Sequence, residues 1–211
     1  MNIKLSRVFI LLISLAVLLF AFRACGWYGT SISGRGLEEG SQKPVADAFV
    51  IVRWQSRVAA GFAGGETACY HVELVKIDKN GNYKTPFWWS PGWHSPFDHS
   101  TAVNVYRAGY KESPLTYEEH SYLQGVYYLK PFKGTREKRL EYLKKLAIHG
   151  CGTDEESKKI TSFNRALLEE AKEIAKTKAD MKIVNSLRAV LDLVELGGEE
   201  TQRRIGEGRY R

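Results

Sequence analysis

The chain lacks the short motifs that carry most hydrolytic and nucleotide chemistry. None of its five histidines is followed by a glutamate three residues later, and no His-Glu-x-x-His pattern, phosphate-binding glycine loop or nucleophile elbow occurs. Cysteine is also scarce: only three are present, and their spacing suggests no zinc site. We therefore expect a protein that is not an enzyme and needs no cofactor.

The chain also lacks a strong charge of one sign. Its 31 basic and 24 acidic residues give a net charge of +7, and three of the basic residues, Lys4, Arg7 and Arg23, lie in the N-terminal segment. The other 28 basic residues face 24 acidic ones, which leaves +4. A nucleic-acid-binding domain normally has a clustered basic face, so we expect no nucleic-acid partner.

The N-terminal segment, residues 1–27, has the pattern of an export signal or membrane anchor. Lys4 and Arg7 precede an almost entirely apolar run from Val8 to Phe22, and positive charges before an apolar run are typical of export signals. At about 1.5 Å per residue the run covers roughly 22 Å, which is short for a full membrane span. The positive charges predict that the folded part faces the periplasm or extracellular space.

Three fates of this segment stay open. It could remain as an uncleaved anchor, be cleaved after export, or end in a lipid-modified Cys25. Residues 22–25 match a bacterial lipobox only in their last two positions, because Arg23 departs from it. An anchor or a lipoprotein would make the membrane a partner of the chain.

The predicted compartment decides how the other two cysteines are interpreted. Cys69 falls in a predicted strand and Cys151 between predicted helices. In an oxidising space an even pair of cysteines normally forms a disulfide. We expect a Cys69–Cys151 bridge that joins the helical part to the β part; two separate thiols are the alternative.

The stretch Pro44–Trp54 is the strongest strand signal. A proline-led turn opens it, and β-branched and aromatic residues follow. Further strands are predicted at residues 28–34, 67–78, 82–88, 101–110 and 124–132, with Asn80-Gly81 as a hairpin turn. This pattern predicts a mainly β plus α protein, in which an antiparallel β-sandwich at residues 28–133 precedes a helical segment.

The helical segment is predicted at residues 134–197 and contains three helices. Thr135 can cap the first, Thr153 with Glu156 forms a capping box for the second, and Asp180 can cap the third. Each helix has one apolar stripe, which could pack on the other helices, on the sandwich or on a partner. Residues 198–211 contain few apolar side chains and are predicted to be disordered.

Four segments in order resemble a known family. Ile32–Arg35, Lys43–Val50, Asp78–Tyr83 and Val105–Lys111 are similar to the carboxypeptidase regulatory-like domain of bacterial envelope proteins. The resemblance covers about residues 28–132 and implies a transthyretin-like, seven-stranded β-sandwich. It also implies an accessory, non-catalytic role in an exported protein.

The chain departs from the family pattern in two places. At residues 35–37 the family usually continues its strand with alternating valines. A second departure is an aromatic insert at Trp88–Phe97, and the helical segment lies outside the resemblance.

The stretch from Trp88 to His99 holds the candidate binding residues. Trp88, Trp89, Trp93 and Phe97 could form a stacking platform for sugar rings or a contact surface for an envelope protein. The alternative is a small core that covers one end of the sandwich.

The same stretch places two imidazoles and a carboxylate close together in sequence, at His94, Asp98 and His99. Such groups suit zinc or copper, and His71 could join them across the sheet; the alternative is that they are polar surface residues held by backbone hydrogen bonds. We predict a non-catalytic, membrane-anchored binding or assembly module outside the cytoplasm. A metal- or carbohydrate-binding protein is the second hypothesis.

Overall fold

The computed structural model describes residues 28–58, 66–90, 99–116 and 125–197, together with Ile13 and Ser14. The strands are β1 Tyr28–Thr30, β2 Ser33–Glu38, β3 Phe49–Val58, β4 Glu66–Lys76, β5 Asn82–Lys84, β6 Trp88–Ser90, β7 His99–Tyr106, β8 Tyr110–Glu112 and β9 Val126–Pro131. The helices are α1 Arg136–Leu146, α2 Asp154–Lys159, α3 Thr161–Ile174 and α4 Lys178–Leu196. The predicted leader, apart from Ile13 and Ser14, and the predicted disordered tail lie outside the described residues.

Seven of the strands form two sheets that pack face to face. One sheet has the order β4-β3-β7 and the other β5-β2-β9-β8, while β1 and β6 form a separate two-stranded ribbon. The expectation of a purely antiparallel sandwich was wrong in one pair, because β2 and β9 run parallel. Parallel neighbours cannot be joined by a tight hairpin, and here the chain passes through the whole of the other sheet between them.

The sheet β4-β3-β7 lies in the middle of three layers. Val50, Val52 and Trp54 are buried against the sheet that contains β2, whereas Ile51 is buried against the helices. Successive side chains of a strand point to opposite faces, so a strand covered on both faces needs an unbroken apolar run. This explains the composition of β3 and confirms the predicted buried strand. The helices therefore pack on the sheet, which was one of the open alternatives.

The predicted turn at Asp78–Asn82 forms, but it does not make a hairpin. The Gly81 amide donates to the Asp78 carbonyl at 3.0 Å, and Gly81 has a φ of 85°, which suits glycine. The chain then crosses to the other sheet, where β5 pairs with β2. The return strand therefore does not extend the sheet that contains β4.

The helical segment contains four helices within the described residues, whereas three were expected. Thr135 and Thr153 are N-caps as predicted. The predicted capping box at Thr153 forms only in part, because the Glu156 carboxylate accepts from the Val72 amide instead of the cap residue. The second predicted helix breaks at Ile160, whose amide donates to the Ser157 carbonyl at 3.1 Å, three residues back, in a tightened turn.

The cap of α4 also differs from the prediction. Thr177 is the N-cap, and Asp180 completes a capping box from the third helical position. Gly197, where the predicted helical segment ends, follows the last helical residue and has a φ of 84°. The first helix ends at Leu146. Two residues later the side chain of Asn164 bonds the backbone of Ile148 at 3.2 and 2.9 Å.

Candidate functional site

The predicted aromatic and metal-ligating residues are placed only in part. Trp93, His94, Phe97 and Asp98 lie outside the described residues, as does Cys25. The backbone of Trp89 pairs with Gly29 in the ribbon. The backbone of His99 pairs with Ser56 at the start of β7.

Trp88 lies at the end of the core between the two sheets. Its ring stacks on the His71 ring, with 4.1 Å between centroids and 12° between planes. Trp54 and Tyr70 lie 5.8 and 5.6 Å away by the same measure. The Trp88 ring thus packs in the small core that was the alternative to a stacking platform, and a binding role for it stays a prediction.

His71 is the residue around which this end of the molecule is built. Only 2% of its surface is exposed. Its Nδ1 lies 2.9 Å from Glu156 Oε2, and its Nε2 lies 3.2 Å from Glu73 Oε1. The Lys159 ammonium reaches both carboxylates, at 3.0 Å to Glu73 and 2.9 Å to Glu156. We call these four residues the His71 cluster.

The electrostatics of the cluster favour a neutral imidazole. Burial lowers the pKa of His71, and the carboxylates of Glu156 and Glu73 offset this only in part. Burial opposes the charge of Lys159 too, but its hydrogen bonds to the two carboxylates raise its pKa overall. At neutral pH a neutral His71 is therefore held beside a charged lysine and two carboxylates.

The cluster is not arranged as a metal site. Among the described residues, no group of three or more His, Cys, Asp or Glu side chains could hold a metal ion. His71 Nδ1 is engaged by Glu156, and Trp88 covers one face of the ring. By strand geometry, the Cα atoms of His71 and His99 are roughly 12 Å apart, since the two residues lie two strands and two positions from each other.

The His71 cluster belongs to a clasp along the free edge of β4. The predicted disulfide between Cys69 and Cys151 is confirmed, with a Cα–Cα distance of 4.8 Å. The Gly152 amide donates to the Cys69 carbonyl at 2.9 Å. The Val72 amide donates to Glu156 Oε2 at 3.1 Å. The loop before α2, and α2 itself, thus satisfy edge groups that would otherwise be open to another strand.

Gly152 is required in this clasp. Its φ is 58°, and a Cβ atom at this position would lie 2.8 Å from the Tyr70 carbonyl oxygen. Any other residue would both strain the backbone and push the loop away from β4. We refer to Cys69, Cys151, Gly152 and the His71 cluster together as the β4 clasp.

A second connection between the helices and the β part is centred on Glu170 of α3. Arg139 of α1 donates to both of its carboxylate oxygens, at 2.7 and 2.8 Å. The Tyr106 hydroxyl donates to Oε2 at 2.7 Å, and the Gly109 amide to Oε1 at 3.1 Å. Burial would raise the pKa of Glu170, but the bonds from Arg139 and Tyr106 lower it overall. The buried carboxylate is therefore charged and fully engaged.

These two connections were not foreseen as such. No role is predicted for Arg139 from the sequence, and Glu156 is predicted only as part of a capping box. The one sequence signal that pointed to the clasp was the cysteine pair, because it brings Cys151 to the strand that also carries His71 and Glu73.

An open surface depression of about 660 Å³ lies beside β8 and β9. Three lysines and two glutamates line it, and Lys130 pairs with Glu39 at 3.0 Å. Because the charges are mixed and one pair is already satisfied, the depression does not favour a ligand of either sign.

The observations define a mixed α/β protein in which two face-to-face sheets carry a helical layer, fastened by one disulfide and two buried networks. Among the described residues, no helix is both long and apolar enough to cross a bilayer. No protein-family model, curated protein or solved structure matches the chain. An assignment of function therefore has to rest on the chemistry of the chain itself.

Proposed function

We propose that the chain is a non-catalytic, membrane-anchored binding or assembly module that acts outside the cytoplasm. The observation that carries this proposal is the Cys69–Cys151 disulfide, which holds the helical layer on the edge of β4. Structural disulfides form and persist in oxidising compartments and are rare in the cytosol. The charged and apolar pattern of residues 1–27 independently fits export.

The body of the module is proposed to be a transthyretin-like sandwich. Seven strands in sheets of four and three support this assignment. So do the positions of the four resembling segments, which fall on β2, on the entry to β3, on the turn before β5 and on the turn between β7 and β8. The resemblance thus follows the places where the chain of the sandwich changes direction.

The structural use of the buried ionisable groups supports a role without catalysis. His71 lies in the β4 clasp, Arg139 pairs with Glu170, and Asp180 completes the capping box of α4. Each of these ionisable groups makes a contact that stabilises the fold. A catalytic group, in contrast, needs access to a substrate.

The proposed contact surface is the stretch from Trp88 to His99, with an envelope protein or a glycan as its partner. Aromatic side chains are suited to both. If the stretch instead binds metal through His94, Asp98 and His99, their replacement by alanine should abolish binding. In the proposed mode, Trp93→Ala should abolish binding, and the triple alanine variant should retain it.

The anchor and the compartment can be tested by intact mass. The full chain is purified from a membrane fraction and alkylated before and after reduction. One alkylated thiol that rises to three on reduction indicates an uncleaved anchor and an intact disulfide. A chain that begins at Cys25 and carries acyl groups indicates a lipoprotein. Three thiols that react without reduction would contradict the disulfide and with it the proposed compartment.

A further inference from the structure

The end of the molecule nearest the N-terminal segment exposes an unusual apolar residue. The aromatic ring of Phe87, directly before β6, has 71% of its surface exposed. Its neighbour Trp88, in contrast, packs inward on His71. One exposed apolar residue needs no explanation on its own, and its significance depends on what lies near it.

The chain connectivity places this end close to the apolar run. Tyr28, the first residue of β1, pairs with Ser90, and Thr30 pairs with Trp88. Phe22, the last residue of the apolar run, is only six residues before Tyr28, a distance of at most about 21 Å for an extended chain. A membrane-inserted or membrane-attached leader therefore keeps the start of the β1–β6 ribbon within about this distance of the bilayer.

The charges at the same end favour a negatively charged surface. No aspartate or glutamate occurs in residues 28–37 or 82–90, the segments that form the ribbon and the adjoining β2–β5 pair. Lys84, which pairs with Ser33 at the end of β5 nearer the ribbon, has an exposed side chain. Basic side chains near an anionic bilayer are attracted to its headgroups.

We propose that Phe87 inserts into the headgroup region of the bilayer that holds the leader, while Lys84 faces anionic lipid headgroups. The inference rests on the proposed membrane anchor and adds a second, non-covalent contact with the same membrane. Two signals together are what stable surface attachment normally requires. The Trp88–His99 stretch then lies next to the membrane, and a partner of that stretch would meet it there.

The test uses the full chain with a benzophenone-bearing phenylalanine at position 87, reconstituted into vesicles of phosphatidylcholine and phosphatidylglycerol. Illumination should attach phospholipid to the protein, detected by intact mass. The matched control carries the same amino acid at Met181, which is 43% exposed on α4 in the helical layer. We expect at least tenfold more lipid adduct at position 87 than at position 181, and Lys84→Glu should lower the yield at position 87 at least threefold.

Flotation of the vesicles separates this inference from the proposed anchor. A chain that floats with the vesicles after a carbonate wash, but forms no more lipid adduct at position 87 than at 181, overturns the lipid contact and leaves the anchor standing. An adduct with a protein or a glycan in native membranes, in place of lipid, also overturns it. A chain that fails to float overturns both. If Lys84→Glu leaves the yield of lipid adduct at position 87 unchanged, the proposed contact between Lys84 and anionic headgroups is wrong.

Discussion

Replacement of both Cys69 and Cys151 by serine should lower the stability of the protein by several kilocalories per mole. The bridge joins residues separated by 82 positions. Closing a loop of this length lowers the entropy of the unfolded chain by about 15 cal/mol/K, which corresponds to about 4.5 kcal/mol at 25 °C. This value is an upper estimate, because real unfolded chains retain some structure.

The folded state should survive the substitution, because non-covalent contacts hold the same elements. The Gly152 amide remains bonded to the Cys69 carbonyl, and Ser157 Oγ accepts from the Cys151 amide at 3.0 Å. The effect should therefore lie mainly in the unfolded state. We expect a loss of about 3–4.5 kcal/mol and a urea midpoint lowered by about 1–2 M, given an m value of about 2–3 kcal/mol/M.

The assay is equilibrium unfolding in urea, followed by tryptophan fluorescence of the full chain in a mild detergent. Cys25→Ser is the matched control, because it removes a thiol that does not belong to the bridge. Wild-type protein kept reduced should lose about as much stability as the double serine variant. A loss below about 1 kcal/mol, or one equal to that of Cys25→Ser, would refute the reasoning that the bridge constrains the unfolded chain.

Two further predictions concern the buried charges. Burial lowers the pKa of His71 from its ordinary value of 6.5, so the imidazole binds a proton more readily in the unfolded state than in the folded state. The free energy of unfolding should therefore decrease as the pH is lowered from 7.5 to 5.5. In the His71→Gln variant the urea midpoint should vary less with pH across this range, whereas His149→Gln, a change at an exposed site, should not reduce the variation. Arg139→Met leaves the Glu170 carboxylate buried and unpaired, and should cost about 3–5 kcal/mol in urea unfolding. Adding Glu170→Leu to this variant should recover more than half of the lost stability. If nothing is recovered, the loss does not come from a buried carboxylate without a partner.

Features that depend on neighbouring residues could be predicted from the sequence. The caps at Thr135 and Thr153 and the turn at Gly81 need only a side-chain oxygen or a permissive backbone within a few positions. The disulfide could also be predicted, because three cysteines with one near the leader leave a single pair in an oxidising space. The buried strand was recognisable because a strand covered on both faces has no polar alternation.

Features that depend on which strand lies beside which could not be predicted. The turn at Gly81 has the same local chemistry whether β5 returns beside β4 or crosses to β2. The choice depends on pairing with a strand that is distant in sequence, here β2. The parallel β2–β9 pair follows from the same long-range arrangement, and no residue within either strand indicates it.

His71 shows why residue type alone is a weak guide to a site. Imidazole near carboxylates suggested a metal ligand, and the structure does place Glu73 and Glu156 next to the ring. Lys159 reaches the same two carboxylates, however, and takes up the charge that a cation would otherwise supply. Burial and the position of Lys159 on a separate helix determine which contacts His71 makes, and neither can be predicted from the spacing of the histidines.

The β4 clasp changes the status of the helical segment from an extension to a part of the sandwich. A sheet of three strands leaves β4 with an unpaired edge, and such an edge is prone to pair with another chain. The clasp replaces a fourth strand with one backbone bond at Cys69, one carboxylate bond at Val72 and one covalent bond. Because these contacts come from a loop and a short helix rather than from a strand, they end the sheet instead of extending it.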